Sequence, residues 1–131
     1  MLVLNYGHPL SAEQQEQATK LIGEPLDIRA ISSQIDPQRP MAELARELAD
    51  AAGLTAEEWT TGDILLNSPG LAPLAVALTA EIHGRRGALP LMLRLRPMPG
   101  AVPPRFEVAE VVDLDQLYRS ALFRESEDEA D

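Results

Sequence analysis

The sequence predicts one α/β domain with an open, mostly parallel sheet, helices on both faces and an antiparallel hairpin at one edge. Three observations lead there. Short apolar runs alternate with stretches of helical spacing through the first two thirds of the chain. Several of those runs end on turn-forming Asn, Gly and Pro residues. Finally, Leu89, Leu91, Leu93 and Leu95 alternate with Pro90, Met92, Arg94 and Arg96, a period of two. The loop that follows, 97–104, is too short for a helical crossover, so the next strand returns antiparallel.

Leu2-Val3-Leu4 reads as a buried strand ending at the turn residues Asn5 to Pro9. Ser11 with Gln14 forms a capping-box signature, which predicts a helix from Ala12 to Ile22 stopped by Gly23. Leu26 to Ile31 is the second strand. Asp36, Pro37 and Pro40 interrupt the chain before a second helix, whose Met41, Leu44, Ala45, Leu48 and Ala52 share one face and which stops at Gly53. Thr55 with Glu58 caps a single helical turn carrying Trp59.

Asp63 to Leu66 is the third strand. After Asn67-Ser68-Pro69-Gly70, a helix runs from about Ala72 to His83 and is closed by Gly84, with Pro73 in its first turn, where a missing N–H costs nothing. A fifth strand over Arg105 to Val112 and a last helix from Asp113 through Phe123 complete the domain, residues 1–124. The tail 125–131 holds five acidic residues and no basic one, which reads as a disordered, solubilising segment.

Net charge is −10, and removing the five tail acids leaves −5. That field disfavours duplex nucleic acid, while a small anion held by backbone N–H groups needs only local dipoles. Aromatics make up 4% of the chain, so stacking platforms for single strands are scarce. The chain has no cysteine, which removes disulfides, thiolate metal sites and cysteine nucleophiles together. No His, Asp or Glu cluster has metal-ligand spacing, and neither a metal nor a cofactor is expected. Met1 to Leu4 passes directly into polar and turn residues, without a basic leader or a long apolar run. A soluble, cytoplasmic protein without membrane contact is expected.

With strand order 2-1-3-4, ligands bind where the order reverses, beyond the C-terminal ends of strands one and three. Two loops lie there, Asn5-Tyr6-Gly7-His8-Pro9 and Asn67-Ser68-Pro69-Gly70 with Leu71. Both are rich in Gly, Pro and Asn, and both feed helix N-termini, whose unpaired N–H groups favour anions. The plain alternative for each is a tight βα connection, and neither matches a phosphate fingerprint.

His8 is the one candidate proton carrier at this site, against a loop histidine that braces the turn. Tyr6 stacks on a base or else caps the sheet edge. Asn5 and Asn67 read polar edges of a base or ribose, or else form turns. Arg96 ends the fourth strand on the ligand side and is the candidate to meet a phosphate. His83 fits a capping role in the last turn of its helix. Arg85 and Arg86 are expected as surface or interface residues. The serines lack a nucleophile-elbow setting.

Four stretches carry a family resemblance: Leu4 to Leu10, Asn67 to Pro73, Leu95-Arg96-Pro97 and Pro103 to Val111. In these the chain resembles the small CRISPR-associated accessory proteins of the Csx-fifteen family. That family is similar to stand-alone CARF domains, Rossmann-like sensors of cyclic oligoadenylates in type III antiviral defence. The resemblance implies a Rossmann-like (CARF-like) fold and a cyclic oligoadenylate ligand, the four-membered ring first, bound across a symmetric homodimer. The expected function is sequestration that lowers the free signal concentration. The alternative is a metal-independent ring nuclease, with ribose 2′-hydroxyl attack giving 2′,3′-cyclic phosphates and His8 and Arg96 as its chemistry-bearing residues. A third reading is an assembly subunit that binds no nucleotide, with the fourth strand and Trp59 at its interface.

Overall fold

In a computed structural model, the backbone is described for residues 1–130 and the side chains for residues 1–124. Ten elements follow in order. They are β1 (Leu2–Asn5), α1 (Ala12–Ile22), β2 (Asp27–Ala30), α2 (Met41–Ala51), α3 (Ala56–Thr60), β3 (Ile64–Asn67), α4 (Ala72–Arg86), β4 (Leu91–Pro97), β5 (Phe106–Asp113) and α5 (Leu114–Ala130). The expected acidic tail at 125–131 falls where side chains lie outside the described residues.

The strands form one sheet in the order β2-β1-β3-β4-β5. β1 pairs parallel with β2 and β3, and β3 with β4, while β4 and β5 are antiparallel. This is the open α/β sheet the sequence predicts. Alternation along the strands splits the core in two. Leu4, Tyr6, Ile64 and Leu66 pack against Leu44, Leu48, Trp59, Leu74 and Leu78 from α2, α3 and α4. Val3, Leu65, Leu93 and Val108 pack on the other face with Ala18 of α1.

Both capping boxes form. Ser11 Oγ accepts from Gln14 N at 3.1 Å, and Thr55 Oγ1 accepts from Glu58 N at 3.1 Å. α1 also covers the outer edge of β5, because Gln17 Oε1 accepts from Val108 N (2.8 Å) and Gln14 Nε2 donates to the Phe106 carbonyl (3.0 Å). An edge strand covered in this way offers fewer open ladder positions to another chain.

One expectation is corrected in α4. The helix passes through Gly84 and ends at Arg86, where Gly87 takes the left-handed conformation (φ 76°). A glycine inside a helix costs only about 1 kcal/mol, and long-range ties hold the last turn. Arg85 Nη2 reaches Asp50 Oδ1 (2.9 Å), its Nε reaches Glu81 Oε2 (3.1 Å), and its guanidinium lies 5.7 Å from the Trp59 ring centre. Arg86 Nη1 donates to the carbonyls of Trp59 and Gly62, each at 3.1 Å. Both arginines remain partly exposed while tying α4 to α2 and to the segment before β3. Trp59 is buried, so it is not available at an interface.

Some boundaries also move. β4 begins at Leu91 rather than Leu89, because Pro90 has no N–H and Leu89 N already donates to Asp115 Oδ1 at 3.1 Å. β3 includes Asn67 and omits Asp63, a shift that matters for the site. α5 extends beyond the expected end at Phe123.

Candidate functional site

Strand order reverses between β1 and β3, which leave in opposite lateral directions from the centre of the sheet. Asn5 and Asn67 are register partners at the C-terminal ends of these two strands. Asn67 Nδ2 donates to Asn5 Oδ1 at 2.8 Å, and both side chains are buried. Asn5 Oδ1 also accepts from Gly7 N at 3.0 Å, and its Nδ2 donates to the His8 carbonyl at 3.1 Å. Tyr6 N donates to the Asn67 carbonyl at 2.9 Å, carrying the ladder one step past the strand. Asn5 is therefore a brace that folds the first loop over, with its amide engaged by protein on both atoms. Asn67 differs: its Oδ1 has no hydrogen-bond partner among the described residues.

Gly7 makes the close approach of the loops feasible. A Cβ there would meet the Ser68 carbonyl oxygen at 3.0 Å and Asn67 Nδ2 at 3.1 Å. Gly70 is different, since a Cβ on it meets nothing within 4 Å and its φ is not positive.

Above this base lies a cavity of about 520 Å3, within the roughly 300–1,000 Å3 range of small-molecule sites. The first loop lines it with Tyr6, Gly7, His8 and Pro9, and the loop after β3 with Asn67, Ser68 and Gly70. A third loop, which sequence reasoning missed, completes it with Ile31, Ser32, Ser33 and Gln34 after β2. Its only sequence signal is position, because β2 ends at the same sheet edge as β1. Leu95 closes the remaining side. Of these lining side chains, only His8 and Tyr6 are ionisable.

Tyr6 is not a stacking platform. Its ring is 1% exposed, packed in the core, and its hydroxyl donates to the Leu48 carbonyl at 2.9 Å. Burial pushes its phenol well above the ordinary tyrosine range. His8 is exposed at the cavity and its ring makes no hydrogen bond among the described residues. Arg96 does not line the cavity. It alternates with Leu95, and its Nε pairs with Glu107 Oε1 at 2.9 Å across the hairpin. Pro69 is buried and Leu71 is half exposed, and neither lines the cavity with the other site residues.

The two helix N-termini are not equivalent. α1 is closed by its capping box, so its first turn has little left for an anion. α4 has Leu71 at its N-cap with no side-chain hydrogen bond, and Pro73 in its first turn. The Ala72 and Leu74 N–H groups lack intrahelical acceptors by position, and the helix dipole places its positive end beside Gly70. His83, in the last turn of α4, suits the negative end of the dipole and lies edge-on to Tyr118 at 6.2 Å. Among the described residues no helix is long and apolar enough to cross a membrane.

A scan of protein-family models, a search of curated proteins and a search of solved structures each return no match to this chain.

Proposed function

We propose that the three-loop cavity binds a cyclic oligoadenylate, the four-membered ring first, and that the protein lowers its free concentration by holding it. The observation that supports this reading is the pairing of an uncapped α4 N-terminus with a cavity at the strand-order switch whose lining mixes apolar and polar side chains and holds no acidic one. The N–H groups suit the phosphates. The Ser32 and Ser33 hydroxyls and the unpaired Asn67 Oδ1 suit ribose hydroxyls or the adenine amino group. The resemblance to Csx-fifteen proteins names the ring. A ring of four nucleotides exceeds a single cavity of this size, so a two-fold partner takes the other half.

Holding is favoured over cutting by the state of His8. A general base is normally oriented by a second group, and no hydrogen bond orients this ring among the described residues. Arg96, the expected charge stabiliser, is engaged with Glu107 outside the cavity.

The test mixes labelled cyclic tetra-adenylate with excess protein and runs native and denaturing gels side by side. A native shift without linear product is expected. Linear product under multiple turnover, lost in His8→Ala, would establish the nuclease instead. No shift would remove the ligand assignment.

A further inference from the structure

Among the residues that line the three-loop cavity, only Tyr6 and Asn67 are buried. Tyr6 turns its hydroxyl away, to the Leu48 carbonyl in the core. Asn67 is 7% exposed, and its Nδ2 is taken by Asn5 while its Oδ1 has no hydrogen-bond partner among the described residues. That oxygen is not sealed in. The one fully enclosed side-chain polar atom without a partner among the described residues is Arg86 Nε, at the far end of α4. Asn67 Oδ1 is thus a buried side chain's free acceptor, open to the cavity its residue lines.

The sense of this amide is set by its neighbour. A backbone N–H can only donate and a backbone carbonyl can only accept. Asn5 is fixed by one of each: Gly7 N donates to its Oδ1 at 3.0 Å, and its Nδ2 donates to the His8 carbonyl at 3.1 Å. Asn5 Oδ1 is therefore the atom that faces Asn67, at 2.8 Å, and Asn67 must present Nδ2 to it. Turning the Asn67 amide over would set two carbonyl oxygens against each other at that distance. The free Oδ1 is held as an acceptor, and what it meets must donate.

Burial decides which part of a nucleotide that is. Phosphate is the costliest group to take out of water and the flat base the least costly. The N–H groups of the α4 N-terminus lie beside Gly70, which is exposed, and so is Ser32. Ile31 and Leu95 offer half-buried aliphatic surface to a base. Phosphate and ribose then stay at the open rim, and the edge of the base reaches Asn67.

We propose that Asn67 Oδ1 selects the base by accepting from the 6-amino group of adenine, and that Asn5 is the positioning residue that keeps this acceptor turned to the ligand. The proposal deepens the nucleotide reading of the cavity and rests on it. Guanine and hypoxanthine carry an oxygen where adenine carries the amino group, so they would set acceptor against acceptor. A purine with neither leaves Oδ1 buried and unpaired, and a site built around one polar group rejects such an analogue strongly.

The test compares cyclic tetra-adenylate with two analogues on the full-length wild type by calorimetric titration. One is the same ring built from purine riboside, which lacks the amino group, and the other is its 2′-deoxy form. The ring without amino groups is expected to bind at least ~tenfold more weakly, and the deoxy ring about as well as the parent. The ratio of the affinities for adenine and purine rings is the deciding readout, because a merely weakened fold lowers both together. That ratio should fall to about one in Asn67→Leu and should drop in Asn5→Ala. Equal affinity for the two rings in the wild type, or a ratio that persists in Asn67→Leu, overturns the proposal and leaves ring binding standing. Loss confined to the deoxy ring also overturns it, since the donor is then the ribose hydroxyl. If no ring binds, the proposed function fails, and AMP against purine riboside monophosphate decides the selection by itself. A shift of the Asn67 side-chain amide resonance with AMP alone sustains it, and the same response to both, or to neither, refutes it.

Discussion

Asn67 and Asn5, 62 residues apart in sequence, are joined by one side-chain hydrogen bond of 2.8 Å at the ends of adjacent parallel strands. Through Asn5 that bond reaches Gly7 N and the His8 carbonyl, so a single buried amide sets the path of the first loop. Asn5→Ala should leave Asn67 Nδ2 and Gly7 N without their acceptor. Such losses cost about 1–3 kcal/mol. Urea unfolding followed by the fluorescence of Trp59, the one tryptophan, reads this directly.

The two loop glycines should behave differently. Gly7→Ala places a methyl group 3.0 Å from a backbone oxygen, so the loops must part, and stability and ligand binding should fall together. Gly70→Ala meets open space and should change stability by less than about 0.5 kcal/mol. Paired thermal melts of the two variants separate these outcomes.

Much of this arrangement was legible in the sequence. The two capping boxes and both turn-rich loops follow from local signals such as Ser11 with Gln14, or Asn67 to Gly70, and the strand order follows from the alternation of strands and helices. What the sequence hid depends on distant partners. Tyr6 reads as a stacking residue or a cap on the sheet edge until the Leu48 carbonyl, 42 residues away, is seen to take its hydroxyl. Gly84 reads as a helix stop because the ties from Arg85 to Asp50 and from Arg86 to Gly62 have no local signature. The register irregularity between Arg94 and Leu95 sets which β5 residue faces Arg96, and so decides its pairing with Glu107. The loop Ile31 to Gln34 lacks glycine and proline, and only the parallel pairing of β1 and β2 brings it to the site.

Tyr6 also predicts an alkaline limit. Its phenol is held protonated in the folded state, above the unfolded value of about 10. The folded-state value is raised, so the stabilisation is complete below pH ~10 and is lost as pH rises beyond it. Tyr6→Phe should lower stability at neutral pH by about 1 kcal/mol through loss of the hydrogen bond to Leu48. It should also flatten the decline above pH 10. Urea midpoints at neutral and alkaline pH provide the comparison.

At the acid end Asp115 acts in the opposite sense. The hydrogen bond from Leu89 N, and then Arg119, hold its carboxyl below the usual aspartate range. A depressed folded-state value means stability that is present above the unfolded value of about 3.9 and lost as pH falls through the folded one. Asp115→Asn should therefore shrink the acid-side loss of stability, read from melts across pH 2–5.

Arg96 separates the structural reading of the site from the one suggested by strand position alone. Its guanidinium is exposed and paired with Glu107, so Arg96→Ala should change stability by at most about 1 kcal/mol. Ligand affinity should be nearly unchanged in the same variant, measured by calorimetric titration.

The most direct test of the three-loop cavity is equilibrium binding of labelled cyclic tetra-adenylate to the wild type and to Gly70→Trp. The substitution fills the cavity mouth from a position with open space, so the fold should survive with its melting temperature intact. Wild-type binding with loss of at least tenfold in Gly70→Trp is the expected result. Equal affinity in the two proteins, or no binding to either, would contradict the assignment of the ring to these loops.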